Sequence, residues 1–237
     1  MMDVGDVRRL GRHALYRLVA VVERRSGDLG SHSRRTSGLV EAVADQLGFS
    51  AARRDLVAHA SLFHDIGKVA IPDRVLSRTG PLDEDERAIV ETHTEVGFWL
   101  LAGRGCPLFD LAAEIALAHH ERLDGSGYRT AWTRQIGIET RVVTVCEVFD
   151  ALTSHRTYRP AFTVTEALRM IVTETGSTFD PDVVKALTTV VRSGTGCVPR
   201  DRTARRPSSF SGLNRTLGLR VLPVRPRGAC VPASLYR

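Results

Sequence analysis

Lysine is nearly missing from this chain: of the 33 basic residues among 237, only Lys68 and Lys185 are not arginine. A bias of that kind reflects coding composition more than selection for phosphate binding, and it makes Lys68 conspicuous. Cysteine is scarce too. Cys106, Cys146, Cys197 and Cys230 are scattered with no CxxC pair, which excludes a zinc ribbon and a disulfide framework and leaves a reducing cytoplasm as the expected location. No apolar run approaches the roughly eighteen residues of a membrane span. Charges interrupt the apolar residues of the arginine-rich N-terminus, so a secretory signal is not expected. No internal repeat is present.

What remains is an ordinary globular composition, 43% hydrophobic and 25% charged, in a chain long enough for one substantial core or one domain with extensions. The net charge of +6 divides unevenly. Residues 192–237 hold ten arginines and one acid, Asp201, which leaves residues 1–191 slightly acidic. That tail also holds five of the ten prolines, with no amphipathic period and no aromatic stacking pattern. It reads as a disordered end, not as a nucleic-acid or membrane arm.

The rest reads as helices. Apolar stripes at helical spacing fall near residues 7–24, 31–47, 51–66, 83–102 and 107–120. The segment "RVVTVCEVFDAL" (141–152) is rich in β-branched residues, but no partner strand is evident and a buried helix is expected. Thr163 with Glu166 forms a capping-box pattern, and Asp180 followed by Pro181 marks another helix start. The expectation is an all-α chain: a helical extension over 1–22, a domain over 23–191 and the basic tail over 192–237.

The histidines carry the chemistry. His64–Asp65 emerges from an apolar helix, where such a pair is costly to bury unless it is partnered or metal-bound. Alone, it fits a histidine bonded to a core carbonyl beside a surface aspartate better than a metal site. Lys68, three residues on, shares a face with Asp65 if the helix continues. His93 alone reads as a solvated histidine in an acidic helix, and His32 as a helix-start residue. His119 and His120 end a helix, where one protonated histidine would suit the dipole; two adjacent ones are explained less well that way, and can instead reach a common ion. His13 and His155 read as surface or packing residues, and His59 as packing.

Taken together, "HDIGK" (64–68), His93 in "HT", "HHERLDGSGY" (119–128) and "FDALTSHRTYR" (149–159) resemble, in order and spacing, the HD-GYP domain. This is a branch of the HD phosphohydrolase superfamily that degrades the second messenger cyclic di-GMP. The likeness runs from about Glu23 to Val191 and includes "STFDPDVV" (177–184). It implies an HD-superfamily helical bundle with a metal centre between helices. By position, His32, His64, Asp65 and Glu147 would hold one divalent ion, with Asp65 bridging to a second held by His93, His119 and His120. Asp28 matches the place where some members put a glutamate for a third. The resemblance favours iron or manganese. Lys68, Arg156 and Arg159 match positions at or near the substrate phosphates, and Tyr128 is retained beside them. Imidazole and carboxylate donors suit such ions, and two dications about 3.5–4 Å apart form a clamp for phosphodiester hydrolysis. The implied products are linear pGpG and GMP.

Three departures separate this chain from the family pattern. Glu147 stands where the family has aspartate, adding a methylene to a ligand. Arg129 replaces the proline of GYP, and the loop that follows looks one residue short. Asp28 is shorter than the family's glutamate, which argues against a third ion. Two further readings therefore stand beside the cyclic di-GMP phosphodiesterase: a weak or inactive module that binds nucleotide or protein partners, and a phosphohydrolase acting on another nucleotide. The partners expected are cyclic di-GMP, signalling proteins in trans, and a second copy of the chain through the first helix.

Overall fold

Four helix starts among the described residues are set by side chains that satisfy orphan backbone N–H groups, the first by Ser50, which accepts from Arg53 N. Asp83 accepts from Glu86 N and Glu86 reaches back to Asp83 N; Thr163 and Glu166 do the same. Asp180 accepts from Asp182 N and Val183 N, with Pro181 in the first helical position. The opposite signal ends the last helix, where Gly194 takes φ 70°.

The structure is a computed structural model that describes residues 4–26, 32–103, 105–128, 136–155 and 160–194; in the first helix, side chains are described for Ala14 and from Tyr16 onward. The described residues form α1 (Val4–Arg25), α2 (His32–Gln46), α3 (Ala51–Ser61), a 3-10 helix (Ile66–Ala70), α4 (Asp73–Leu76), α5 (Glu84–Glu91), α6 (His93–Leu101), α7 (Pro107–Ala118), α8 (Ile138–Thr153), α9 (Val164–Thr173) and α10 (Pro181–Ser193). Among them there is no strand, only an isolated bridge between Thr175 and Phe179. The all-α expectation holds, and the β-branched segment 141–152 is the buried heart of α8. Tertiary burial of its Val142, Val143 and Val145 overrides their modest helix propensity.

The core runs between α2, α3, α7 and α8, with α9 and α10 closing one side. Val40, Val43, Val57, Phe63, Ile115, Phe149, Leu152 and Leu187 are among its fully buried members. The expected boundary at residues 22–23 falls inside α1. Val19 and Val22 of that helix lie in the common core, and Tyr16 stacks on Phe63 with ring centroids 5.7 Å apart.

Two elements differ from the sequence reading in ways that matter for the site. The helix expected over 83–102 is broken at Thr92 into α5 and α6. Thr92 bonds Ile89 O through both its N–H and its hydroxyl, a local bond that competes with the continuing helix. The helix expected over 51–66 stops at Ser61. Beyond it, successive bonds from Phe63 N to Ala60 O, His64 N to Ser61 O, Ile66 N to Phe63 O and Lys68 N to Asp65 O tighten the chain into 3-10 turns.

Candidate metal centre

Three chain segments converge because small residues let them. A Cβ on Gly67 would lie 1.9 Å from His93 O and 2.5 Å from Gly97 N; one on Gly97 would lie 3.0 Å from Ala116 Cβ. The 3-10 helix therefore rests directly on the backbone of α6, and α6 on α7. That contact sets His64 and Asp65, at the end of the tightened segment, against His93 at the start of α6 and His119–His120 at the end of α7. His32 at the start of α2 and Glu147 in mid-α8 approach from the other side.

The ligand-type atoms fall into two groups, each with its atoms within 4.8 Å of one another: Asp65, His93, His119 and His120 in one, His32, His64 and Glu147 in the other. Asp65 stands between them. Its Oδ1 lies 3.4 Å from His93 Nε2 and 3.8 Å from His119 Nε2, while its Oδ2 lies 3.4 Å from His64 Nε2 and 2.5 Å from Lys68 Nζ. The imidazoles pack edge-on, His64 against His119 and His32 with centroids 5.2 and 5.3 Å apart. His64, His93 and His119 have no solvent exposure.

The outer nitrogens fix how these rings face. Nδ1–H of His64 donates to Ser61 O, that of His93 to Val90 O, and that of His119 to Ile115 O and Ala116 O. Thr144 holds the same helix end by donating to His119 O at 2.9 Å. With Nδ1 protonated and burial keeping the rings of His93 and His119 neutral, their Nε2 atoms are bare acceptors pointing inward. His93 Nε2 and His119 Nε2 then face each other at 3.5 Å with no proton to share. His64 Nε2 and Asp65 Oδ1 are buried without a hydrogen-bond partner. Buried lone pairs aimed at one another are costly unless a cation sits among them. The donors fit divalent cations, and this cluster is capable of holding them.

At the Asp65–His93–His119–His120 group protonation is already arranged for that task. Burial pushes His93 down to about 4, with Lys68 and His64 adding to it against Asp65. Burial likewise holds His119 and His120 well below the usual imidazole range. His64 goes the other way: burial works hardest to lower it, but Asp65, Glu147 and the Ser61 carbonyl together overcome burial and raise it to about 9. Burial would raise Asp65, yet Lys68, His64 and His93 hold it well below the ordinary carboxylate range. Burial raises Glu147.

Every expected site residue in the described segments lies at this centre. His93, read alone as a solvated histidine, is fully buried there. Tyr128 packs at a tilt against His120 with ring centroids 4.5 Å apart, and burial raises its phenol, so it stays a neutral donor. Gly127 permits that packing: a Cβ there would lie 2.6 Å from Glu121 Cα and 2.8 Å from His120 O. Asp124 shapes the loop by accepting from Ser126 N. Asp28, Arg129, Arg156 and Arg159 lie outside the described residues. His59, read as packing, is instead exposed, its Nδ1 bonded to Asp55 O one turn back. Sequence reasoning passed over Arg35, which bonds Asp150 through Nε at 2.7 Å. Its one signal was its place three residues after His32, on the same face of α2.

Comparison with known proteins agrees with this arrangement. The model of the HD domain family matches residues 18–183. The chain is 39% identical over 188 residues to the cyclic di-GMP phosphodiesterase response regulator RpfG of Xanthomonas campestris pv. campestris, covering 79% of this chain and 50% of that protein. It is 36% identical over 183 residues to the 3'3'-cGAMP-specific phosphodiesterase 2 of Vibrio cholerae, covering 77% and 35%. The chain thus spans half or less of the length of these curated relatives. Among solved structures, the HD domain of the L. monocytogenes phosphodiesterase PgpH in complex with cyclic-di-AMP superposes with a TM-score of 0.56 at 20% identity, over 81% of this chain and 100% of that one. That likeness is one of fold. With the family model covering most of the chain and the histidine–aspartate pair at the meeting point of its buried donors, the chain belongs to the HD domain family.

Proposed function

We propose that the chain is a metal-dependent phosphodiesterase that hydrolyses cyclic di-GMP to pGpG and GMP. The observation that carries this reading is the pair of donor groups meeting at Asp65. His32, His64, Asp65 and Glu147 would hold one divalent ion and Asp65, His93, His119 and His120 a second, with iron or manganese the ions the family resemblance favours. Such ions supply Lewis-acid polarisation of the phosphate and a water acidic enough to act as nucleophile at neutral pH. In the net reaction a water oxygen bonds phosphorus, the P–O3′ bond breaks, and the 3′-oxygen takes a proton.

The chain's own residues do the positioning. Lys68 is only partly buried, with its ammonium on Asp65, so it can present charge to a non-bridging phosphate oxygen without leaving its partner. Tyr128 offers a neutral O–H at the His93–His120 edge of the centre. Arg156 and Arg159, by their place in the motif, would meet the second phosphate. No helix among the described residues is long and apolar enough to cross a membrane, and with four unpaired-pattern cysteines the place of action we propose is the cytoplasm.

A second cyclic dinucleotide is favoured by one observation, the 36% identity to a relative named for 3'3'-cGAMP. The experiment is a substrate panel. Purified protein loaded with Mn²⁺ or Fe²⁺ under reducing conditions is incubated with cyclic di-GMP, 3'3'-cGAMP and cyclic di-AMP, and products are separated by chromatography. Turnover of cyclic di-GMP to pGpG, reduced to background in a His64→Ala/Asp65→Ala variant, is expected. Preferred turnover of 3'3'-cGAMP would shift the substrate assignment. A metal-loaded protein that turns over none of the three, or a double variant as active as the parent, would sink the enzymatic reading.

A further inference from the structure

His32 is held differently from its neighbours. His64, His93 and His119 each rest Nδ1–H on backbone carbonyls one turn back, so each ring is fixed relative to its own segment. His32 Nδ1–H instead donates to Asp150 Oδ2, at 2.6 Å, on a helix 118 residues away. Asp150 is 2% exposed. Arg35 grips it from the same helix as His32, through Nε to Oδ1 at 2.7 Å and Nη2 to Oδ2 at 3.0 Å. Ser154 joins the two, donating to Asp150 Oδ2 at 3.3 Å and accepting from Arg35 Nη2 at 3.0 Å.

The spacing gives this clamp its meaning. His32 and Arg35 lie one turn apart on α2; Glu147 and Asp150 lie one turn apart on α8, with Ser154 just past its end. One carboxylate therefore ties together the two helices that present His32 and Glu147 to the same group of donors. A carbonyl within the same helix could fix the His32 ring but not its distance from Glu147. A carboxylate partner also makes an imidazole a stronger donor and locks its tautomer. Glu147 brings an extra methylene to its place, so the separation of α2 from α8 decides whether its oxygen and His32 Nε2 reach a common ion.

We propose that Asp150, braced by Arg35, is the positioning residue of the His32–His64–Glu147 group. It holds His32 in the Nδ1–H tautomer, aims Nε2 into the group, and sets the gap across which Glu147 must reach. The proposal rests on the metal-centre reading above and adds that one of the two ion sites depends on this clamp and the other does not.

The test uses the full chain, stripped of metal, with Asp150→Ala, Asp150→Asn and Arg35→Met variants. Mn²⁺ stoichiometry and dissociation constants are measured by competition with a chelator, thermal melting by circular dichroism, and the His32 tautomer by ¹⁵N NMR with His32→Gln for assignment. The parent is expected to bind two Mn²⁺. Asp150→Ala should weaken one of them about 10- to 100-fold and leave the other unchanged, with His32 passing from one tautomer to a mixture. Asp150→Asn, which keeps an acceptor, should recover part of the loss, and Arg35→Met should fall between. If Asp150→Ala does not fold, the Asn and Met variants carry the comparison. Lower melting with both Mn²⁺ constants and the tautomer unchanged, or both sites weakened equally, would make the clamp a plain helix tie and overturn the proposal. A parent that binds no Mn²⁺ while its His32 tautomer is fixed by Asp150 would overturn the metal-centre reading instead.

Discussion

At position 67 there is no room for a side chain. The His93 carbonyl oxygen stands 1.9 Å from where a Cβ would be, and it belongs to backbone that also presents a donor of the centre. Gly67→Ala must separate the 3-10 helix from α6. Overpacking of this sort costs about 1–3 kcal/mol, occasionally more, and a collision with backbone belongs at the upper end. Urea unfolding should therefore show a loss of about 3 kcal/mol, together with weakened Mn²⁺ binding where Asp65 meets His93. Gly48→Ala is the control, because Gly48 has φ 78° but nothing within 4 Å; it should cost only about 1 kcal/mol and leave metal binding intact. Equal behaviour of the two variants would remove the close approach from the account. The histidines and Asp65 were legible in the sequence because their residue types and spacing form a motif. Gly67's neighbour and Arg35's partner were not. Gly67 meets His93 and Arg35 meets Asp150 only through helix packing, which no local pattern encodes.

At the scale of elements, what could be read was what neighbours in sequence decide. The capping pairs Thr163–Glu166 and Asp180–Pro181 set helix starts as expected, because caps are local. The break at Thr92 was hidden inside a helical pattern, and the short α4 carried no period long enough to show. The tie between α1 and the rest was equally hidden: Glu23 accepts from Ser33 N at 2.6 Å, and Arg25 donates to Val69 O, Ile71 O and Asp73. Charge placement on one element yields a pH prediction away from the centre. Glu114 is exposed on α7, with Asp110 one turn before it and Glu139 on α8 facing it. Partial burial, then these two carboxylates, raise its pKa. A carboxyl whose pKa is higher folded than unfolded adds stability below its unfolded pKa and loses it as pH rises through the folded value. Glu114→Gln should therefore melt above the parent at pH 8, with the gap closing as pH falls to 4. A gap that is constant across that range, or of opposite sign at pH 8, would show that the like charges do not govern this face.

The whole molecule sets a polar centre inside an apolar bundle, and that placement makes ion binding a matter of folding stability. His64, His93 and His119 are sealed beneath the same helices that bury Phe63, Phe149 and Leu187. The Nε2 lone pairs of His93 and His119 oppose each other at 3.5 Å, and burial keeps both rings neutral. An unfolded chain exposes these atoms to water and relieves the conflict, so the metal-free bundle is destabilised by its own site. An ion bound only by the folded state adds RT ln(1 + [M]/Kd), about 2.7 kcal/mol per site at a hundredfold excess over Kd. For a chain of this size each kcal/mol shifts the melting temperature by about 2–4 °C, so one filled site should raise it by about 5–10 °C. The rise should reverse on chelation. It should also shrink as pH falls, because His64, already protonated up to about 9, must release its proton before it can bind. His64→Ala/Asp65→Ala removes the carboxylate that stands between the two donor groups and should melt at one temperature with or without Mn²⁺. A double variant that gains as much from Mn²⁺ as the parent would place the ion elsewhere.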